Sequence, residues 1–258
     1  MHTDSEQGLM PPRVDFKSQR LFVEHTLEAG SEHSLSEAHA HYLLTVLRME
    51  TGATLLVFNG KDGEWQVEVT RHSKRAGSLT VLCQTRLQTP LNDLTLLFAP
   101  IKKERMDWMV QKAVEMGAGA IRPVITEHTQ NQKIRTDKLE ANIIEAAEQC
   151  GVLAVPSMQT VCKIDALVRS WDADRPLFWC DESAFVFSPS RLLADYRDKP
   201  KAVLIGPEGG FSDRERELLL AQPFAHAISL GPRILRADTA VVAALTVLQL
   251  VAGDWSSD

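Results

Sequence analysis

The chain has 258 residues, 44% hydrophobic and 24% charged, with a formal net charge of −6. That length predicts two domains, and the acidic balance excludes a protein that grips nucleic acid over its whole surface, although a site can still be locally basic. No apolar run approaches the roughly 20 residues of a membrane span, and Cys83, Cys150, Cys162 and Cys180 lie far apart, outside any paired metal-ligand spacing.

Met1 to Lys17 carry Asp4, Glu6 and Asp15 and lack the basic-then-apolar order of a secretory signal, so they read as a flexible polar tail on a cytoplasmic protein with reduced thiols and no metal. From residue 18 to 89 the texture is β-rich. Thr54–Phe58, Glu64–Thr70 and Ser78–Leu82 alternate with turns at Asn59-Gly60, Asp62-Gly63 and Ala76-Gly77, which predicts a small barrel. One helix interrupts it from Ser36 to Arg48, with Ser36 as cap and Ala40, Leu43, Leu44 and Leu47 as the apolar stripe. Thr89 to Asp93 reads as the linker.

From residue 90 to 258 strand and helix take turns: Leu94–Ala99 then Met106–Met116, Ile121–Ile125 then Asp137–Cys150, Pro176–Cys180, Ala202–Ile205 then Asp213–Ala221, and Ala227–Leu230 then Thr239–Ala252. This order predicts an α/β domain around a mostly parallel sheet. Gly117 is placed to stop its first helix, and Asp137 with Glu140 to cap the second reciprocally. The last helix is apolar nearly all round, which predicts burial in a core or between subunits.

The segment from Leu204 to Glu215 is an apolar strand that runs into a glycine-rich loop and then a capping box, Ser212 with Glu215. Glycines at 206, 209 and 210 let a ligand approach the main chain. The loop is no triphosphate cradle, because the closing Gly-Lys-Ser/Thr is absent, and it lacks the spacing of a dinucleotide site. A tight strand-to-helix turn without ligand fits it as well. Leu230 to Ala240 repeats the arrangement, turning at Gly231-Pro232 and reaching a helix that Asp238 or Thr239 can cap. Ligands of open α/β sheets collect beyond the carboxyl ends of strands, so the two loops are expected to line one pocket. Arg236, between Leu235 and Ala237, either faces that pocket or pairs with a surface carboxylate.

Residues 205–210 and 230–240 together resemble the ribosomal RNA small subunit methyltransferase E family of the SPOUT superfamily, as do His41–Arg48 and Gly60, Lys102–Asp107, Gln111–Gly117 and Glu145–Gln149, in that order. The resemblance implies a PUA-like RNA-binding barrel, a SPOUT α/β domain with a C-terminal trefoil knot, a homodimer, and S-adenosylmethionine as cofactor. Carried onto this chain, it implies cofactor contacts from Leu204, Ile205, Gly206, Pro207, Glu208, Gly209, Gly210, Leu230, Gly231, Ile234, Leu235, Ala237 and Thr239, with a third segment near Trp179 to Glu182. Two positions depart from the family pattern: Val152 and His128 stand where arginines are expected.

The implied reaction moves a methyl group to N3 of a uridine in 16S ribosomal RNA, free or in the assembled small subunit. Arg236 is the candidate to stabilise charge on the uracil oxygens, with Glu208 and Asp238 as candidate proton acceptors. Arg20, Arg48, Lys102 and Arg105 are the candidates to hold RNA, helped by Arg71 to Arg75. The rival readings are methylation of a ribose 2′-oxygen or a guanine by the same fold, and a catalytically silent RNA-binding assembly factor.

Overall fold

Two hydrophobic patterns, alternation in the first third of the chain and strand-then-helix in the rest, produce two compact units that divide between Thr89 and Pro90. The computed structural model describes residues 15, 17–130, 132–181, 189–197 and 199–256. Most of the expected polar tail lies outside the described residues.

The first unit contains β1 (Arg20–Phe22), β2 (Glu32–Ser34), α1 (Glu37–Ala40), β3 (Thr54–Phe58), β4 (Glu64–Arg71) and β5 (Gly77–Arg86). Its sheet runs β1-β3-β4-β5-β2, with β1 parallel to β3 and the other pairs antiparallel. Inward residues at alternate positions, Leu55 and Val57, Val67 and Val69, Leu79 and Val81, form one core with Leu43 and Leu44.

Ser36 caps α1 as expected, its side chain accepting from the His39 N–H at 3.2 Å. The helix then widens into a π-helical stretch, His41–Val46, in which the Leu47 N–H donates to the Tyr42 carbonyl, five residues back, at 2.9 Å. The wider turn carries Leu47 off the predicted stripe, leaving it 38% exposed, and Met49 packs against the core instead. Arg48, at φ 55°, ends the helical run and is exposed.

Arg20 corrects its expected role in RNA binding. It is 3% exposed, and its Nε donates to Glu64 Oε2 at 2.9 Å. Glu64, 1% exposed, also meets Arg86 Nη1 at 3.5 Å and accepts from the Thr85 hydroxyl at 2.9 Å. A buried guanidinium with a buried carboxylate is an internal brace, because leaving for a phosphate would cost Glu64 its shortest ion pair in a low-dielectric interior.

The second unit is a parallel sheet with helices. Its elements are β6 (Leu94–Phe98), α2 (Lys103–Glu115), β7 (Ala120–Ile125), α3 (Thr136–Cys150), β8 (Ser157–Met158), β9 (Cys162–Lys163), α4 (Ile164–Arg169), β10 (Leu177–Cys180), α5 (Pro189–Ala194), β11 (Lys201–Ile205), α6 (Asp213–Leu220), β12 (Ala225–Ile228) and α7 (Ala237–Ala252). The strand order is β12-β10-β11-β6-β7-β8, β9 pairs with β7, and every ladder is parallel. The strands therefore end on one edge, where the carboxyl ends of β10, β11 and β12 are neighbours, with β10 between the other two. β12 stops at Ile228, two residues before the expected end, and this lengthens the loop that leads to α7.

Two expected caps are replaced. Asp137 lies inside the first turn of α3 and pairs with Arg135, whose Nε and Nη2 reach its oxygens at 2.9 and 2.6 Å. Arg236 is the N-terminal flanking residue of α7, so Asp238 also falls in a first turn, free to point elsewhere. Gly117 does end α2, at φ 79°. The last helix packs on α2, α5 and β11, and no described helix is long and apolar enough to cross a membrane.

Candidate functional site

Beyond the carboxyl ends of β10, β11 and β12 lies a cavity of ≈ 230 Å³. Its wall takes Cys180 and Asp181 from the end of β10, Ile205 to Phe211 from the end of β11, Leu230, Gly231, Arg233, Ile234 and Leu235 from the loop after β12, and Ala237 and Ala240 from α7. The two glycine loops thus face one space. Among the expected cofactor contacts, Ile205, Gly206, Pro207, Glu208, Gly209, Gly210, Leu230, Gly231, Ile234, Leu235 and Ala237 are all in this wall.

Leu204 and Thr239 are not. Strand alternation turns Leu204 into the core with Trp179 and Phe211, where it is fully buried, and Thr239 is exposed on α7. Trp179 is likewise a core residue, packed edge-on to Phe211 at 5.6 Å between ring centroids. Glu182 lies outside the described residues. Phe211 and Arg233 were missed although each adjoins or lies within the quoted motifs; Ala240 follows Ala237 by three, one helical turn on the same face, a spacing that could have found it.

At Gly231 the wall is bare main chain for a conformational reason. Gly231 has φ 106°, a region closed to residues with a Cβ, and a Cβ built there would meet nothing within 4 Å. The bare main chain therefore borders open space in the cavity, and such a cradle fits a ligand recognised through close approach to the backbone. Gly210, at φ 67°, closes a turn by donating its N–H to the Pro207 carbonyl at 2.9 Å.

Three contacts from distant segments hold the glycine loop. His128 Nδ1 lies 3.0 Å from the Gly209 carbonyl and 3.1 Å from that of Gly210, so the tautomer with the proton on Nδ1 donates to them. The turn carrying His128 is fixed by Thr126 and Thr129, whose hydroxyls are 2.9 Å apart, and by the Glu127 N–H, which donates to Glu215 Oε1 at 2.8 Å. Glu215 is fully buried and completes the expected capping box, accepting from the Ser212 N–H at 3.0 Å while its own N–H donates to the Ser212 hydroxyl at 3.3 Å.

Arg105, from the first turn of α2, supplies the third contact. Its Nε and Nη2 grip Asp238 at 2.9 and 2.7 Å, and its Nη1 reaches Glu208 at 3.3 Å. Arg105, expected as an RNA contact, is here engaged by two carboxylates. The hydrogen bond from Arg105 holds the Asp238 carboxyl below its ordinary range, which makes Asp238 a poor proton acceptor. On β10, burial, with help from the Asp181 charge, pushes the Cys180 thiol up to about 12, so it stays protonated and is no nucleophile at neutral pH. Asp181 is held by Arg216 Nη1 at 2.6 Å.

Arg236 is exposed at the start of α7, flanked by the wall residues Leu235 and Ala237 but outside the wall itself. Arg233, also exposed, is in the wall. Neither forms an ion pair among the described residues. Among those residues no group of three or more His, Cys, Asp or Glu could hold a metal ion.

Comparison with known proteins agrees with this geometry. The model of the RNA methyltransferase domain matches residues 88–249, and that of the RNA methyltransferase PUA domain matches residues 35–82. Ribosomal RNA small subunit methyltransferase E of Rickettsia conorii is 30% identical over 238 residues, 91% of this chain and 96% of that protein. Its counterpart from Buchnera aphidicola subsp. Schizaphis graminum is 32% identical over 255 residues, 92% of this chain and 98% of that protein. Among solved structures, the Neisseria gonorrhoeae ribosomal RNA small subunit methyltransferase E bound to S-adenosyl methionine superposes with TM-score 0.82 at 26% identity, covering 92% of this chain and 99% of that one. A Legionella pneumophila methyltransferase in complex with the same cofactor gives TM-score 0.78 at 33% identity over 90% and 97%. The family model spans well over half of the chain and the relatives nearly all of it, so this chain belongs to the ribosomal RNA small subunit methyltransferase E family, with a PUA domain ahead of an α/β methyltransferase domain.

Proposed function

We propose that this protein transfers the methyl group of S-adenosylmethionine to N3 of a uridine in 16S ribosomal RNA. The observation that carries the reading is a cavity lined by the two glycine-bearing loops at the ends of parallel strands, beside two guanidiniums, Arg233 and Arg236, that form no ion pair among the described residues. Solved relatives bound to S-adenosylmethionine support the choice of cofactor, and the names of the curated relatives support ribosomal RNA as substrate.

Bound there, S-adenosylmethionine supplies a methyl carbon already activated by its sulfonium. The protein's share is orientation and exclusion of water. Main chain at 206–210 and 230–235 holds one side, and Ile205, Leu230, Leu235 and Ala237 make the wall apolar. N3 becomes a nucleophile when it loses its proton, which leaves negative charge on the uracil oxygens. Arg236 is the candidate to stabilise that charge, and Arg233 is the second cation within the same loop. Glu208, in the cavity wall and met by Arg105 only at 3.3 Å, is better placed to take the proton than Asp238, which Arg105 grips at 2.9 and 2.7 Å. Arg48 and Lys102 are exposed and remain candidates to hold RNA phosphates. The working unit in this reading is a homodimer acting on 16S ribosomal RNA or the assembled small subunit.

The test is mass spectrometry of nucleosides from 16S ribosomal RNA of a deletion strain. Loss of 3-methyluridine, restored by the intact gene and not by Arg236→Ala, is expected. Loss of a 2′-O-methylated nucleoside or a methylguanosine instead would overturn the N3 assignment. A purified protein that does not bind S-adenosylmethionine in calorimetry would leave only an assembly role.

A further inference from the structure

Arg105 lies outside the cavity wall, yet it touches both segments that shape the cavity. Glu208 belongs to the loop after β11, and Asp238 to the first turn of α7, directly after the wall residue Ala237. One edge of the guanidinium is bidentate on Asp238, at 2.9 and 2.7 Å, and the remaining Nη1 turns to Glu208 at 3.3 Å. We propose that Arg105 is a positioning residue, a strut that fixes the distance between the glycine loop and the start of α7 and so keeps the cofactor cavity open at its working width.

The planar fork makes this possible. A lysine ammonium is a single point and cannot hold a carboxylate along one edge while reaching a second with the other nitrogen. The strut adds little to global stability, because Arg105 is 28% exposed and Glu208 43%. Its value is local: two loops already held in the bound geometry need not be ordered when ligand arrives, which strengthens binding without any new contact. The alternative, a grip on an RNA phosphate, would draw the guanidinium away from Glu208 or Asp238 and cost the bridge between the two segments.

The inference rests on the cavity being the S-adenosylmethionine site, and calorimetry on the full-length protein without RNA separates the two claims. Arg105→Gln should weaken S-adenosylmethionine binding about tenfold while the melting temperature moves by only about 3 °C or less and KM for RNA stays constant. Arg105→Lys should recover little of the affinity. Asp238→Asn in the Arg105→Gln background should cost much less than it does alone, because the shared interaction is already lost. Glu208→Gln, which removes only the longer contact, should weaken binding about threefold, and it serves as the check should the arginine variants fold poorly. Unchanged cofactor affinity in Arg105→Gln with a raised KM for RNA would make Arg105 a phosphate contact and overturn the strut; fully additive double-variant losses would do the same. Intact protein that binds no S-adenosylmethionine would remove the cofactor reading together with the strut.

Discussion

Replacing Glu215 by alanine should damage the fold and the cofactor site together. The side chain is fully buried and serves two donors at once, the Ser212 N–H at 3.0 Å and the Glu127 N–H at 2.8 Å. Hydrogen bonds to a charged partner contribute roughly 1.5–3 kcal/mol each, and water entering the vacated space would restore part of that. A net loss of about 3 kcal/mol is expected, which for a unit of this size lowers the melting temperature by about 6–12 °C. The same change frees the turn that carries His128, so S-adenosylmethionine affinity should fall about tenfold as the Gly209 and Gly210 carbonyls lose their fixed donor. Glu215→Gln keeps the shape but offers one amide oxygen where two carboxylate oxygens served, and its NH2 would face an N–H; it should show about half the loss of stability or more. Thermal melts followed by circular dichroism, with calorimetry at a temperature where both variants are folded, measure the two effects. Melting within about 2 °C of the parent for both variants would refute the reasoning, because a buried two-donor acceptor cannot be removed at so small a cost.

Glu64→Ala leaves Arg20 buried without its carboxylate and should destabilise the first unit by about 3–5 kcal/mol in denaturant unfolding; a loss under about 1 kcal/mol would mean that Arg20 finds water or another partner. His128→Ala removes an exposed clasp, so stability should change by less than about 1 kcal/mol while calorimetry shows S-adenosylmethionine binding about three- to tenfold weaker. Equal affinity would show that the glycine loop holds its shape unaided. Burial lowers the pKa of His226, whose ring packs on Phe178 and whose Nε2 lies 3.0 Å from the Tyr196 hydroxyl. The unfolded chain therefore takes up this proton first, so stability is at its full value above pH 6.5 and declines as pH falls through 6.5 towards the lower folded value. Melting temperatures across that window should slope in the parent and flatten in His226→Gln.

What could be read from the sequence was local in chain distance. The glycine loop at 206–210, its capping box and the next loop at 230–235 each lie within a dozen residues; alternation with glycine turns gave β3 its observed bounds, and the strand-then-helix order gave β6 its bounds to within a residue. What escaped depends on residues far apart. Arg105 and Asp238 are separated by 133 positions, His128 and Gly209 by 81, and Arg20 and Glu64 by 44. An arginine in a sequence shows its charge and not its burial, which is why Arg20 read as an RNA contact and became a brace. The π-helical turn after α1 escaped for a different reason: apolar spacing at Leu43, Leu44 and Leu47 suits an α-helix, and the step from the Leu47 N–H to the Tyr42 carbonyl leaves no mark in that spacing.

The arginines also explain how an acidic protein can act on a polyanion. Around the cavity, Arg105 is committed to Asp238 and Glu208, Arg216 to Asp181, and Arg214 to Asp165 at 2.6 Å. Each of these charges is cancelled locally and holds one segment to another. Arg233 and Arg236 are exposed and unpaired among the described residues, so their field reaches solvent uncancelled beside the cavity. Net charge therefore carries little information about this site. The division between committed and free guanidiniums carries more: around the cavity, the positive charge left uncancelled among the described residues sits on the loop after β12.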